Sequence, residues 1–369
     1  LTAPVPFLGI AQKSTDERQM GLGVIESPAD WSPAALESRK DWIHTLTVPE
    51  ISEVEAAFHT YKASGRALVD MGFADFPLDR YAAVVERALD RLEEGPGVFM
   101  IRGFPVERYS ADDMRIIYWG IGKHLGVARS QSTEGDVIGD VRDLRLPEDS
   151  PRFRGYKTAG GNVYHCDTCD VTGLFVLRPA KTGGVSHVAS TVAIHNEIAR
   201  TRPDLLSILY QPFIWSMQGQ ERPGDAQYYE QPIFTLQDGH FSCRYVRPHI
   251  RQAQRRFAEV PRLTKAQEES LDLIDALVAS PEFHHCTNFQ PGDLQLVNNH
   301  VTLHARTPFE DYDDPASRRH LLRMWLSVKN SRPLSPLMGH IYRDQRAGAV
   351  RGGFMPHDNR AVVFETLEM

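Results

Sequence analysis

The sequence predicts an α+β chain, and three observations carry that reading. Some segments repeat apolar residues at three- and four-residue spacing, as in Leu78, Tyr81, Ala82, Val85, Leu89 and Leu92, which lines them along one face of a helix. Others are short apolar runs of strand length bounded by turn residues, as in Val98 to Phe104, Gly173 to Arg178 and Asp293 to Val297. The two kinds are interspersed along 369 residues without an internal repeat, low-complexity tract or linker. One domain over 1–369 is expected, with an N-terminal arm over 1–46 and a C-terminal tail over 331–369.

In chain order, residues 1–46 are rich in proline and poor in periodicity, and Trp31 and Trp42 are the expected anchors of the arm. Thr47, with Pro49 early in the run, opens a helix through Val54, Phe58 and Tyr61. The helix from Leu78 to Leu92 stops at Gly95-Pro96. A buried strand, Val98 to Phe104, follows. Ser110 and Asp113 then form a capping-box-like start to a helix through Met114, Ile117, Tyr118 and Ile121, which Gly126 closes. Between Val127 and Gly161 a short strand, Asp136 to Val141, is set in charged loop, and Gln131, Asn162 and Tyr164 are candidates to line a cleft.

After the strand ending at Arg178, a Gly183-Gly184 turn leads to a strand from Ser186 to Ala189. Thr191 to Ala199 and Asp204 to Leu209 read as helices, the second with Pro203 at its start. Pro232 to Leu236 and Phe241 to Val246 flank Asp238-Gly239, a hairpin signal, because these residues tolerate the positive φ of a tight turn. Thr264 and Gln267 make a capping box for a helix through Leu271, Ile274, Leu277 and Val278. Strands resume at Asp293 and His320, and the tail is expected to run over the surface.

Composition excludes several function classes. A net charge of −7 without a basic block argues against a nucleic-acid partner, since that affinity comes from clustered Lys and Arg. No apolar run reaches the roughly 18 residues of a membrane span. Cys166, Cys169, Cys243 and Cys286 are too few for a disulfide scaffold, and Leu1 to Leu8 lack the charged and apolar regions of a signal peptide. A cytoplasmic protein acting on a small molecule is expected; homo-oligomerisation stays open.

The chemistry centres on Tyr164-His165-Cys166-Asp167 and on His304. In an extended segment His165 and Asp167 point to one side and Cys166 to the other, so an imidazole and a carboxylate can share one ion. His304 supplies a third ligand after the alternating Asp293 to Val297. Two histidines and a carboxylate form the facial triad that holds non-haem Fe(II) with open positions for a co-substrate and dioxygen. Fifteen residues beyond His304 the run Arg318-Arg319-His320-Leu321-Leu322-Arg323 offers guanidinium forks suited to a dicarboxylate.

With that spacing the sequence resembles the taurine dioxygenase family of Fe(II)- and 2-oxoglutarate-dependent oxygenases, whose pattern is His-X-Asp, a long gap, His and then Arg. The resemblance runs from about Gly97 to Val328 and takes in Arg102-Gly103 at the end of an early strand and Gly183-Gly184 before Ser186. It implies a double-stranded β-helix, the cupin-like jelly roll, decorated by helices. It also implies iron at His165, Asp167 and His304, the distal carboxylate of 2-oxoglutarate at Arg319, assistance from Ser186, and hydroxylation of a C–H bond with release of succinate and CO2. Ser186 stands where the taurine enzyme has threonine, and the interval from His304 to Arg319 is a few residues longer. Arg323 shares a strand face with Arg319 and matches the arginine that holds the sulfonate in the taurine enzyme, so it is expected to meet an anionic substrate group or the 1-carboxylate of 2-oxoglutarate.

Other readings compete for the same residues. Cys166 and Cys169 form a C-x-x-C, but Cys243 and Cys286 supply no second half-site for zinc. His300 lies four residues before His304 and could mimic a helical metal pair, although the preceding alternation argues against helix. His187 and His195 read as structural or exposed, His284-His285 as the exposed start of a strand, and Arg306 stays ambiguous. A zinc hydrolase-like metalloprotein or a silent binding module on the same barrel are the alternative functions.

Overall fold

The computed structural model describes residues 22–145, 157–221 and 224–356. Two facing sheets organise them. The major sheet runs in the order Ile43–Thr45, Val98–Arg102, Leu294–Asn298, Val171–Arg178, His320–Ser327 and Val127–Arg129, and Ile138–Val141 also pairs with His320–Ser327. The minor sheet runs His284–Thr287, Ser186–Ser190, Thr302–Arg306 and Asn162–His165. Late strands lie between early ones in both, and the pairings are antiparallel except for Ile43–Thr45 with Val98–Arg102. This is the double-stranded β-helix of an α+β protein.

Side-chain alternation explains the layers. In the major sheet Leu294, Leu296, Leu322, Met324 and Leu326 turn outward onto the helices Val48–Ala63, Arg80–Glu93 and Ala111–Leu125, meeting Phe58, Val85, Leu89 and Ile117. In the minor sheet Ala189 and Leu303 turn outward onto the helices Thr191–Thr201, Pro203–Leu209 and Lys265–Ala279. Each large apolar side chain so buried contributes about 1.5–3 kcal/mol, and this fixes which face of each strand looks inward. Val98, Met100, Val176, Val188, Val297 and Leu321 fill the space between the sheets. The remainder of that space is polar and forms the site.

The capping signals are found where the sequence puts them. Ser110 Oγ accepts from Asp113 N at 3.1 Å and Thr264 Oγ1 from Gln267 N at 3.2 Å. The Asp238-Gly239 turn has φ of 51° and 80° and joins Phe234–Gln237 to His240–Cys243. The Gly183-Gly184 turn, with φ of 72° and 67°, passes so close to Pro308 that a Cβ on Gly183 would stand 2.2 Å from its carbonyl oxygen.

Other expectations change. Part of the arm is sheet: Ile43–Thr45 forms its edge, while Trp31 and Trp42 are buried and donate to the carbonyls of Pro96 and Leu36. The strands Val127–Arg129, Pro212–Ser216 and Tyr228–Pro232 and the helix Arg247–Arg256 have no counterpart in the sequence reading. Over 331–354 the expected surface tail is a strap pinned by buried residues that alternate with exposed ones. There Arg351, 1% exposed, donates to Asp170 Oδ1 at 2.7 Å and to the Arg332 carbonyl at 2.7 Å, and Tyr342 is fully buried. Residues 1–21, 146–156 and 357–369 of the arm, loop and tail lie outside the described residues.

Candidate metal centre and co-substrate cleft

Strand pairing brings the three sequence-predicted ligands together. His304 lies directly opposite His165 across Thr302–Arg306 and Asn162–His165, and Asp167 follows two residues on. One ligand atom from each of His165, Asp167 and His304 lies within 4.8 Å of the others. His165 Nε2 is 3.8 Å from Asp167 Oδ1, and His304 Nε2 is 3.6 Å from Asp167 Oδ2. Ligand bonds of about 2.0–2.2 Å put neighbouring donor atoms about 3 Å apart, so each histidine closes on Asp167 by less than about 1 Å when the set takes an ion. His300 is elsewhere, buried with Nε2 2.8 Å from Asp170 Oδ1.

The donors are also chemically prepared. His165 Nδ1 is 2.8 Å from the Val163 carbonyl, which makes Nδ1 the protonated nitrogen and leaves the Nε2 lone pair for a metal. Burial, and next His165, lower His304 to about 3 against the pull of Asp167, and burial lowers His165 as well. Burial alone would raise the Asp167 carboxyl, but Arg323, His304, His165 and the Thr172 hydroxyl hold it well below the usual carboxylate range. At neutral pH the set is two neutral imidazoles and a carboxylate. Thr172 Oγ1 donates to Asp167 Oδ2 at 2.7 Å, Asn299 Nδ2 donates to Thr172 Oγ1 at 3.0 Å, and Asp167 N donates back to Asn299 Oδ1 at 2.9 Å. This closed relay fixes the carboxylate before any ion arrives. The residues therefore fit a divalent metal.

A narrow cleft opens beside this set and is lined by His165, Ser186, His304, Arg306, Arg319 and Arg323 among others. Arg319 precedes the strand His320–Ser327, while Arg318 turns away to the Tyr312 and Asp313 carbonyls. Arg319 is 4% exposed and its polar contact is a 3.4 Å hydrogen bond from Nη1 to the Val141 carbonyl. Burial, then the neighbouring Arg306, lower it to about 9, and burial lowers Arg306 to about 10. A guanidinium stays protonated in practice. The depression marks buried positive charge that a bound anion would relieve. Neither arginine has an ion-pair partner among the described residues, and both stand over the Phe309 ring, 4.7 Å (Arg306) and 5.1 Å (Arg319) from its centre.

Arg323 is held differently. Its Nε donates to Gln131 Oε1 at 2.6 Å, Gln131 Nε2 donates to the Val137 and Arg323 carbonyls, and Nη1 lies 3.8 Å from Asp167 Oδ1. It stands at the metal end of the cleft. Ser186 Oγ donates to Gln295 Oε1 at 3.0 Å. Of the predicted lining residues, Asn162 lines the cleft and Gln131 supports Arg323, but Tyr164 points to the other side of its strand, 2.8 Å from His187 Nδ1. Sequence reasoning missed Thr172, Asn299 and Gln295 and left Arg306 undecided. For Arg306 a signal existed, because it lies two residues beyond His304 and so on the same strand face.

Comparison with known proteins adds an independent line. A match to the taurine catabolism dioxygenase TauD, TfdA family spans residues 62–325. The chain belongs to this family. As a TauD/TfdA member it is an Fe(II)- and 2-oxoglutarate-dependent dioxygenase that uses O2. It is 32% identical over 309 residues to FR-33289 synthase of Streptomyces rubellomurinus, covering 82% of this chain and 90% of that protein. It is 27% identical over 311 residues to the taurine hydroxylase-like protein SAT17 of Stachybotrys chartarum, covering 82% and 79%. Among solved structures it resembles asparagine oxygenase in complex with Fe(II), 3-hydroxyasparagine and succinate (TM-score 0.60, 18% identity, 77% of this chain and 93% of that one). It also resembles the non-haem iron oxygenase OrfP with Fe and α-ketoglutaric acid (TM-score 0.59, 15% identity, 77% and 93%). These distant structures support the TauD/TfdA fold.

Proposed function

We propose that this TauD/TfdA dioxygenase binds Fe(II) through His165 Nε2, Asp167 and His304 Nε2, takes the distal carboxylate of 2-oxoglutarate at Arg319, and hydroxylates a small anionic organic substrate held by Arg323. The observation that carries this is the pairing of a preorganised two-histidine, one-carboxylate set with two buried guanidiniums that no carboxylate neutralises among the described residues. Bound Fe(II), with 2-oxoglutarate and O2, supplies oxidative decarboxylation to succinate and CO2 coupled to insertion of oxygen into a C–H bond.

The chain's own residues do the positioning. The Thr172 and Asn299 relay holds Asp167 ionised and oriented. Phe309 packs against both Arg319 and Arg306, which line the same cleft as His165 and His304. Ser186, paired to Gln295 on the inner face, lines the same cleft and would border the co-substrate. Arg323, locked by Gln131, presents its charge beside Asp167, where an anionic substrate group would bring its C–H bond to the metal. The single-domain reading is supported, over the described residues, by a major sheet that joins early strands to late ones. A zinc hydrolase has no use for Arg319 and Arg306.

The test is succinate formation from 2-oxoglutarate by anaerobically reconstituted Fe(II) protein on admitting O2, screened against small anionic molecules. His304→Ala should abolish both iron binding and succinate release. Full iron content and activity in that variant, with both lost in His300→Ala, would overturn the ligand assignment.

A further inference from the structure

The face of the minor sheet turned away from the cleft carries a second set of metal-competent side chains, His187, His284 and Cys286, whose ligand atoms lie within 4.8 Å of one another. Strand geometry assembles them. Cys286 is directly opposite His187 in the antiparallel pair of His284–Thr287 with Ser186–Ser190, and His284, two residues before Cys286, shares its face. His187 alternates with Ser186, which lines the cleft, and with Val188, which packs between the sheets, so it looks the opposite way.

The donors are close, and turning one ring out of the stack brings their lone pairs together. The His187 and His284 rings stack with centroids 4.6 Å apart and planes 11° from parallel. His284 Nδ1 lies 2.9 Å from the Val278 carbonyl and therefore carries the proton, leaving Nε2 as a lone-pair donor. His187 Nδ1 lies 2.8 Å from the Tyr164 hydroxyl, and donation to that oxygen gives the same tautomer. A hydrogen-bonded outer nitrogen on each ring is the arrangement that orients metal-ligating imidazoles. An open cleft of about 340 Å³, lined by Tyr164, His187, Asp275 and Val278 among others, reaches His187 from outside, and Cys286 is exposed.

We propose that His187, His284 and Cys286 bind a thiophilic divalent ion of the zinc class, with water as fourth ligand, at a site separate from the dioxygenase centre. Two imidazoles and a thiolate suit zinc. Zinc–nitrogen and zinc–sulfur bonds of about 2.0–2.3 Å place tetrahedral ligands about 3.5 Å apart, so closing the set takes up to about 1.3 Å of side-chain movement at a sheet edge, together with rotation of one imidazole out of the stack. Bound there, the ion ties the edge strand His284–Thr287 to Ser186–Ser190 and braces Tyr164, the chain neighbour of His165.

Cobalt(II) distinguishes this site from the iron centre, because a thiolate-to-cobalt charge-transfer band arises only where sulfur ligates and His165, Asp167 and His304 supply none. Anaerobic titration of the metal-free full chain with Co(II) should produce the band, Zn(II) should bleach it, and His304→Ala should keep it. Cys286→Ser, at an exposed position, should lose it, and His284→Ala should weaken Co(II) binding at this site at least about tenfold. Absence of the band in the unaltered protein, or its survival in Cys286→Ser, overturns the proposal; unchanged affinity in His284→Ala removes that ligand and overturns it equally.

Discussion

Replacing Arg319 by alanine gives the most direct test of the cleft. The guanidinium is 4% exposed, so a carboxylate bound to it is screened little by water, and loss of one member of such a pair costs about 3–5 kcal/mol. That corresponds to about two to three and a half decades of affinity. Arg306 moves the expectation to the lower end. It shares the Phe309 ring with Arg319 and keeps one positive charge at the same end of the cleft. The 2-oxoglutarate requirement should therefore rise about a hundredfold. Arg319→Lys should recover only part of this, because an ammonium keeps the charge and loses the two-pronged geometry. The assay is anaerobic titration of Fe(II) protein with 2-oxoglutarate, following the metal-to-ligand absorption of the bound co-substrate. An unchanged requirement in Arg319→Ala, with a large rise in Arg306→Ala, would refute the assignment and move the carboxylate to Arg306.

Three further outcomes are expected. Thr172→Val keeps the shape beside Asp167 and removes its donated hydrogen bond, so Fe(II) affinity should fall about 10–100-fold by equilibrium dialysis; unchanged affinity would remove Thr172 from the centre. Arg323→Gln should leave 2-oxoglutarate binding nearly intact in the absence of substrate and weaken binding of an anionic substrate, and loss of the co-substrate absorption signal would make Arg323 part of the co-substrate site instead. The metal-free protein should lose stability as pH falls from about 6.5, the unfolded histidine value, toward 4. Burial holds His300 at about 4 and His304 at about 3, so in this window the unfolded chain binds protons that the folded chain does not, and each such histidine costs about 1.4 kcal/mol per pH unit. Urea unfolding at pH 5 should show at least about 2 kcal/mol less stability than at pH 7, and an equal or higher value would contradict burial of neutral imidazoles.

Much of the site was legible because its main parts depend on local geometry. The two-residue spacing of His165 and Asp167 and the dyad spacing of Arg319 and Arg323 need only an extended chain to place each pair on one side. The helix starts at Ser110 and Thr264 were legible for the same reason, since a cap is satisfied within its first turn. The strap over 331–354 was not, because its burial depends on Asp170, a residue more than 150 positions earlier, accepting from Arg351. Nor were Ile43–Thr45 and Val127–Arg129, three-residue edge strands that take their conformation from the partner they join rather than from a pattern of their own.

The same contrast explains which functional residues were missed. Thr172 lies one residue before the strand that the sequence shows at Gly173 to Arg178, and its role is visible only when Asn299 and Asp167 close the relay around it. Arg306 required knowing that Thr302–Arg306 is a strand: once His304 pairs with Val188, alternation along that pair puts Arg306 on the cleft face with His304. The second cluster is the extreme case. His187 reads as structural and His284 as the exposed start of a strand because each is unremarkable in its own segment. They become a donor set with Cys286 only through the register of two strands almost a hundred residues apart. Shifting that register by one residue would turn His284 and Cys286 to the opposite face from His187 and disperse the set. The hydrophobic alternation that fixes the register, with Val188 inward and Ala189 outward, is therefore what decides that this sheet carries metal-competent residues on both of its faces.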